Sequence, residues 1–115
     1  MLRDKKLAVL GAGKIGEALI RGLLEAQAID VAKVIVTAGH QQRLDVLKDR
    51  FGIDGTLSNR RAAESADIII LSVKPQTVPV VLSEIAGGIK PAQLLISVAA
   101  SVDTASIEGR NQIEE

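Results

Sequence analysis

The unbroken apolar run Leu7-Ala-Val-Leu10 leads straight into Gly11-Ala-Gly13-Lys-Ile-Gly16, and from there into "EALIRGLL", a helix-like pattern. Few arrangements suit that order. A short apolar run without alternation fits a strand covered on both faces. Three glycines at G-x-G-x-x-G spacing, between that strand and a helix, fit a tight turn that a ligand approaches closely. Gly11 permits the turn, Gly13 lets a diphosphate come against the backbone, and Gly16 lets helix and strand pack. The helix start adds free N–H groups and partial positive charge for an anion.

The rest of the chain repeats the alternation. Apolar runs recur at 34–36, 67–73 and 94–99, each rich in Val, Ile or Leu. Between them, Ile15, Ala18, Leu19, Gly22, Leu23 and Ala26 follow the three-four spacing of a buried helix face. Leu44, Leu47 and Phe51 mark a second helix from His40 to Phe51. A third fits Asn59 to Ala66. A fourth runs from about Pro75 to Ala86, with Val78, Val81, Leu82 and Ile85 on one face and both Pro75 and Pro79 near its first turn. A weak short strand at Gly55–Leu57 completes the order. Such alternation predicts right-handed crossovers onto a parallel sheet. We expect an α/β protein with a Rossmann-type, doubly wound parallel sheet in three α/β/α layers, one domain over residues 1–102. At 115 residues and 47% hydrophobic content the chain can supply that core. Residues 103–115 read as the start of a connecting helix, near Ser106, or a tail toward a C-terminal helical domain beyond this sequence.

Composition excludes several functions. The 14 basic and 14 acidic residues cancel without a basic concentration, and Phe51 is the sole aromatic, so no nucleic acid partner is expected. With no cysteine there is no disulfide, thiol nucleophile or Cys-based metal site, and no His-rich spacing suggests a metal. The N-terminal apolar stretch is far too short for a signal h-region or a membrane span. The reading is a soluble, cytoplasmic protein with no membrane partner, compatible with a homo-oligomer. No G-x-S-x-G elbow, Cys–His pair or Walker lysine-serine pair is present. We therefore expect no catalytic residue in this chain, which holds a cofactor while the substrate is held elsewhere.

The end of the second strand bears on which cofactor. An NAD site places a carboxylate there, about 20 residues past the glycines. This chain reads "VIVTAGHQQR", with no Asp or Glu between Asp30 and Asp45, which favours NADPH over NADH. Thr37, Gly39 and His40 offer small donors and open backbone. Arg43 reads equally as a cation for the 2′-phosphate or as a solvated helix charge, and His40 equally as a contact or as a polar helix start. Ligands of open parallel sheets bind beyond the carboxyl ends of the strands. Ser72-Val73-Lys74-Pro75 and Val98-Ala99-Ala100 are such ends. Lys74 is a ribose contact or a solvated loop lysine, and Ala99 and Ala100 leave room for a nicotinamide ring or form a close-packed end. Asn59 is by default an N-cap and also lies on the cofactor side.

Taken together, "LAVLGAGKIGEALIRGLL", Asn59 in "LSNRRAAESADIIILSVKPQ" and "LLISVAASV" resemble the N-terminal half of pyrroline-5-carboxylate reductases, from about Lys6 to Glu108. The resemblance implies NADPH as the hydride donor to the imine of 1-pyrroline-5-carboxylate, giving proline. It places cofactor contacts on Leu10, Gly11, Ala12, Gly13, Lys14, Ile15, Ala38, His40, Asn59, Ser72 to Pro75, and Val98 to Ala100. It also implies that the substrate pocket lies in a helical second half, so that 115 residues alone bind cofactor without catalysis. Two positions depart from the family pattern: Ser101 stands where Gly is usual, and no Arg precedes Arg43 after "TAGHQ". Cofactor domains of β-hydroxyacid dehydrogenase, prephenate dehydrogenase or F420-dependent reductase type are the alternatives, with Val73-Lys-Pro-Gln76 arguing against them. A non-enzymatic nucleotide-sensing domain is a further one.

Overall fold

The computed structural model of the chain describes residues 2–98. Five parallel strands, β1 (Leu7–Leu10), β2 (Val34–Thr37), β3 (Asp54–Thr56), β4 (Ile68–Leu71) and β5 (Leu94–Ser97), form one sheet in the order β3-β2-β1-β4-β5. The first strand in sequence is the middle one in space. The chain adds β2 and β3 on one side, then returns past β1 to add β4 and β5 on the other. That reversal makes the sheet doubly wound and opens a crevice at the carboxyl end of β1, between its two neighbours. The register sets Val9 opposite Val36 and Ile70, so the ends of β1, β2 and β4 lie level around it.

Alternation along β1 sorts the core into two layers, because successive strand side chains point to opposite faces. Leu7 and Val9 pack with Ile20 of α1 (Lys14–Glu25), Leu44 and Leu47 of α2 (Gln41–Phe51), and Ile53. Ala8 and Leu10 pack with Ala62 and Ala63 of α3 (Asn59–Glu64) and with Val81 and Ile85 of α4 (Val78–Ile85). The result is the expected three-layer, doubly wound α/β architecture. No helix among the described residues is long and apolar enough to cross a membrane.

Several local expectations shift. The apolar face predicted for α1 is turned by one residue: Ile15, Ala18, Gly22 and Ala26 are exposed, while Gly16, Glu17 and Ile20 are buried and Leu19, Leu23 and Leu24 half-buried. Counting only apolar residues skipped Glu17, which arginines escort into the interior. On α4, Leu82 is likewise exposed. Pro75–Thr77 forms a separate 3-10 turn and α4 proper begins at Val78, with Pro79 in its first turn, where the missing N–H has no helical partner to lose. α3 stops at Glu64, and β3 sits one residue earlier than Gly55–Leu57. The helix or tail expected over 103–115 lies outside the described residues.

Candidate functional site

The three glycines of the β1–α1 turn have different reasons to be glycine. Gly11 has φ +78°, a left-handed conformation, and a Cβ there would stand 2.1 Å from Val73 Cγ1. A Cβ at Gly16 would stand 2.8 Å from Ser72 Oγ and 3.4 Å from Val9 Cγ1, so β1, α1 and the end of β4 meet without room for one. At Gly13 a Cβ would meet no atom within 4 Å. Packing within the chain accounts for two glycines and leaves the third bare toward open space.

The turn is pinned from both sides. The Gly11 amide donates to Thr37 Oγ1 (2.9 Å), the Ala12 amide to the Thr37 carbonyl (2.7 Å), and the Gly13 amide to the Gly11 carbonyl (2.7 Å). The Ser72 hydroxyl lies 3.0 Å from both the Leu10 and Gly11 carbonyls, to which it can donate. These bonds use the amides of the turn itself. The amides of Lys14, Ile15 and Gly16, in the first turn of α1, have no partner among the described residues. They are the orphan donors every helix start carries, here at the crevice and beside the bare face of Gly13.

Thr37, at the end of β2, is fully buried and is saturated by this arrangement. Its hydroxyl accepts from Gly11 and donates to Asn59 Oδ1, whose own Nδ2 donates to Glu84 Oε1 (2.7 Å). Asn59 is therefore not the N-cap of α3. Ser58 is, its hydroxyl oxygen accepting from the Arg61 amide (3.2 Å), and Asn59 is the first helical residue with its side chain turned to the crevice.

Arg43, on the first turn of α2, reaches back across the turn as expected, but onto protein groups. Its Nε donates to the Ala12 carbonyl (2.9 Å) and its Nη2 to the Gly13 carbonyl (3.1 Å) and to Glu17 Oε1 (2.7 Å). Glu17 also accepts from Arg21 (2.9 Å) and from Arg50. The Arg43 guanidinium, with help from Arg50 and against the opposing effect of burial, holds the Glu17 carboxyl below the ordinary value of 4.5. Two of the three Arg43 nitrogens are thus committed to the turn and to Glu17, while the third, Nη1, has no partner among the described residues.

Above the turn lies a cleft of about 1080 Å³. Gly11 to Ile15 form its floor, Thr37, Ala38, Gly39, His40 and Arg43 one wall, and Asn59 with Ser72, Val73 and Lys74 the other. The fold thus brings together four separate chain segments that sequence reasoning singled out. Three expected contacts, and the third glycine of the motif, do not line the cleft. Leu10 is wholly buried beneath it, Gly16 is the packing glycine, Pro75 turns the chain behind the wall, and Val98 packs against the α1 layer. Ala99 and Ala100 lie outside the described residues. Leu57, Thr77 and Val81 join the lining without having been anticipated. Leu57 falls just past the strand end only because β3 stops at Thr56, one residue earlier than expected. Thr77 and Val81 depend on the 3-10 turn that re-aims α4, for which the sequence carries little signal. No group of three His, Asp or Glu side chains that could hold a metal occurs among the described residues.

A parallel sheet wound both ways, a glycine turn bare on one face and orphan amides above it define a Rossmann-type dinucleotide-binding domain. The chain belongs to the family described as NADP oxidoreductase, coenzyme F420-dependent, whose model matches residues 6–101. Among curated relatives, pyrroline-5-carboxylate reductase 1 of Bacillus subtilis (strain 168) is 37% identical over 106 residues, covering 91% of this chain and 36% of that protein. Among solved structures, the pyrroline-5-carboxylate reductase of Coxiella burnetii superposes with a TM-score of 0.75 at 28% identity, over 81% of this chain and 34% of that one. The Plasmodium falciparum pyrroline carboxylate reductase, solved with NADP bound, gives 0.72 at 26% identity, over 85% and 34%. The resemblance read from the motifs is the one these comparisons return, and the chain spans about a third of the length of the relatives it matches.

Proposed function

We propose that this chain is the cofactor-holding part of a pyrroline-5-carboxylate reductase, binding NADPH in preference to NADH. One observation carries the reading: Gly13 has no packing reason to lack a side chain, yet it faces the cleft next to three unpartnered helix-start amides. A diphosphate fits there, since a Cβ would fill the space it needs and the amides supply donors where the helix dipole favours negative charge. The adenosine ribose lies along Thr37 to His40, and the absence of a carboxylate among the residues of that wall leaves a 2′-phosphate unopposed. Arg43 belongs to the same wall, and its Nη1, which has no partner among the described residues, is a candidate cation for it. The end of β4, at Ser72, Val73 and Lys74, would then carry the nicotinamide.

When bound, the reduced nicotinamide supplies the hydride. The residues of this chain position it and exclude water beneath it, because an imine is already electrophilic and the reaction mainly needs held geometry. Holding the imine substrate falls to parts of the protein beyond these residues, consistent with relatives roughly three times as long. A cytoplasmic setting follows from the same reading. The test is to titrate NADPH and NADH into the 115-residue chain by calorimetry and assay pyrroline-5-carboxylate reduction. Binding of NADPH several-fold tighter than NADH without turnover supports the proposal. No binding of either, or turnover by these residues alone, overturns it. Because the family description names coenzyme F420, the same assay includes F420, whose reduction would favour that reading instead.

A further inference from the structure

Glu17 and Thr37 are the buried polar residues among those described. Thr37 is explained by the bonds of the turn. Glu17 is harder to explain, because a carboxylate within the first turn of an anion-receiving helix opposes the anion. What it does contact is Arg43, the least exposed of its three arginine partners. Arg43 in turn holds the carbonyls of Ala12 and Gly13. The peptide unit is planar and trans, so fixing the Gly13 carbonyl toward α2 aims the Lys14 N–H the opposite way, into the cleft. The Glu17 amide grips the same Gly13 carbonyl (2.9 Å) from the helix side. A guanidinium fork can hold two carbonyls and a carboxylate in one plane, whereas an ammonium is a point donor.

We propose that Glu17 is a positioning residue: by fixing the Arg43 guanidinium it orients the Gly13–Lys14 peptide so that the helix-start amides point at the diphosphate. This rests on the cofactor reading above and adds a residue that touches no ligand. The sign of one substitution separates it from a purely electrostatic role. Glu17→Gln removes a negative charge near the phosphates and by charge alone tightens binding. If Glu17 positions, the same change weakens it.

The experiment measures binding of ADP-ribose, which has the diphosphate but neither nicotinamide nor 2′-phosphate, to the 115-residue chain and its variants well below their unfolding temperatures. Glu17→Gln and Arg43→Lys are each expected to weaken ADP-ribose about tenfold, the equivalent of one charge-assisted hydrogen bond's orientation. Combining them should add little to either alone, because both act through one link. Amide exchange at Ala12 and Gly13 in the unliganded chain should quicken in both variants. Unchanged or tighter binding by Glu17→Gln overturns the proposal, as does wild-type affinity in Arg43→Lys, which would show that charge suffices. If Glu17→Gln does not fold, Arg43→Lys decides alone. If the wild type binds no ADP-ribose, the cofactor reading fails first and exchange judges the brace: quickened exchange upholds it, unchanged exchange removes it.

Discussion

β1 and β5 make an instructive pair. Each is four residues long, mainly Leu, Ile, Val or Ala, and each pairs in parallel with β4. Every residue of β1 is at most 2% exposed, whereas Leu94, Leu95 and Ile96 of β5 are 54%, 42% and 40% exposed. Composition fixes that both are strands; position in the sheet fixes what each is worth. β1 is covered by helices on both faces and carries the glycine turn at its end, so damage there reaches the site. β5 is an edge among the described residues, and damage at its start reaches little.

The contrast breaks most severely at the β1 end. Gly11→Val combines a β-branched residue at positive φ with a clash against Val73, and we expect about 4–6 kcal/mol of destabilisation. A small domain has only about 5–15 kcal/mol to lose, so urea denaturation should show little folded protein. A normal midpoint would mean that the turn is not locked as described. Leu10→Ala, one residue earlier, empties a fully buried site between β1 and the α3–α4 layer. It should cost about 3 kcal/mol, read from the same denaturation curves.

Gly13→Ala separates fold from ligand. Since its Cβ meets nothing in the protein, the unfolding midpoint should stay within about 1 kcal/mol of wild type, while NADPH affinity drops at least about tenfold. Equal affinity would detach the glycine turn from the cofactor.

How much of this could be read beforehand follows the same division. The parallel order, the doubly wound topology and the four chain segments at the cleft were legible because they depend on local patterns: continuous apolar runs, glycine spacing, residues just past strand ends. The rotated face of α1 was not, because the burial of Glu17 depends on Arg43 and Arg50 from another helix besides Arg21 on its own, and no local count foresees the pairing across helices. Asn59 misled for a related reason. Both Ser58 and Asn59 are good caps, and the choice between them was made by Thr37, 22 residues away. The exposure of β5 was invisible too, since an apolar run reports strand propensity and says nothing of what lies beside it.

Glu17 also gives the comparison a pH axis. Its carboxyl is held below the unfolded value near 4.5, chiefly by Arg43, so the folded state binds its proton less readily than the unfolded state does. That stabilisation is fully present above pH 4.5 and is lost as pH falls through the lower folded-state value. Thermal midpoints measured from pH 7 downward should therefore drop below about pH 4.5 more steeply in the wild type than in Glu17→Gln. Parallel curves would place the acid sensitivity elsewhere.

The smallest effect is expected at the other strand. Leu94 is half exposed and begins β5, at the opposite end from Ser97 and Val98, where the strand approaches the cleft. Leu94→Thr keeps a good strand former in the pair with Ile68 and surrenders only part of one apolar side chain's burial, about 1 kcal/mol or less. NADPH affinity should not change, because Leu94 is not among the residues that line the cleft. A loss approaching that of Leu10→Ala would require a neighbour to cover β5 in solution. In that case the difference between the two strands would measure what the described residues leave uncovered, not a property of the sheet itself.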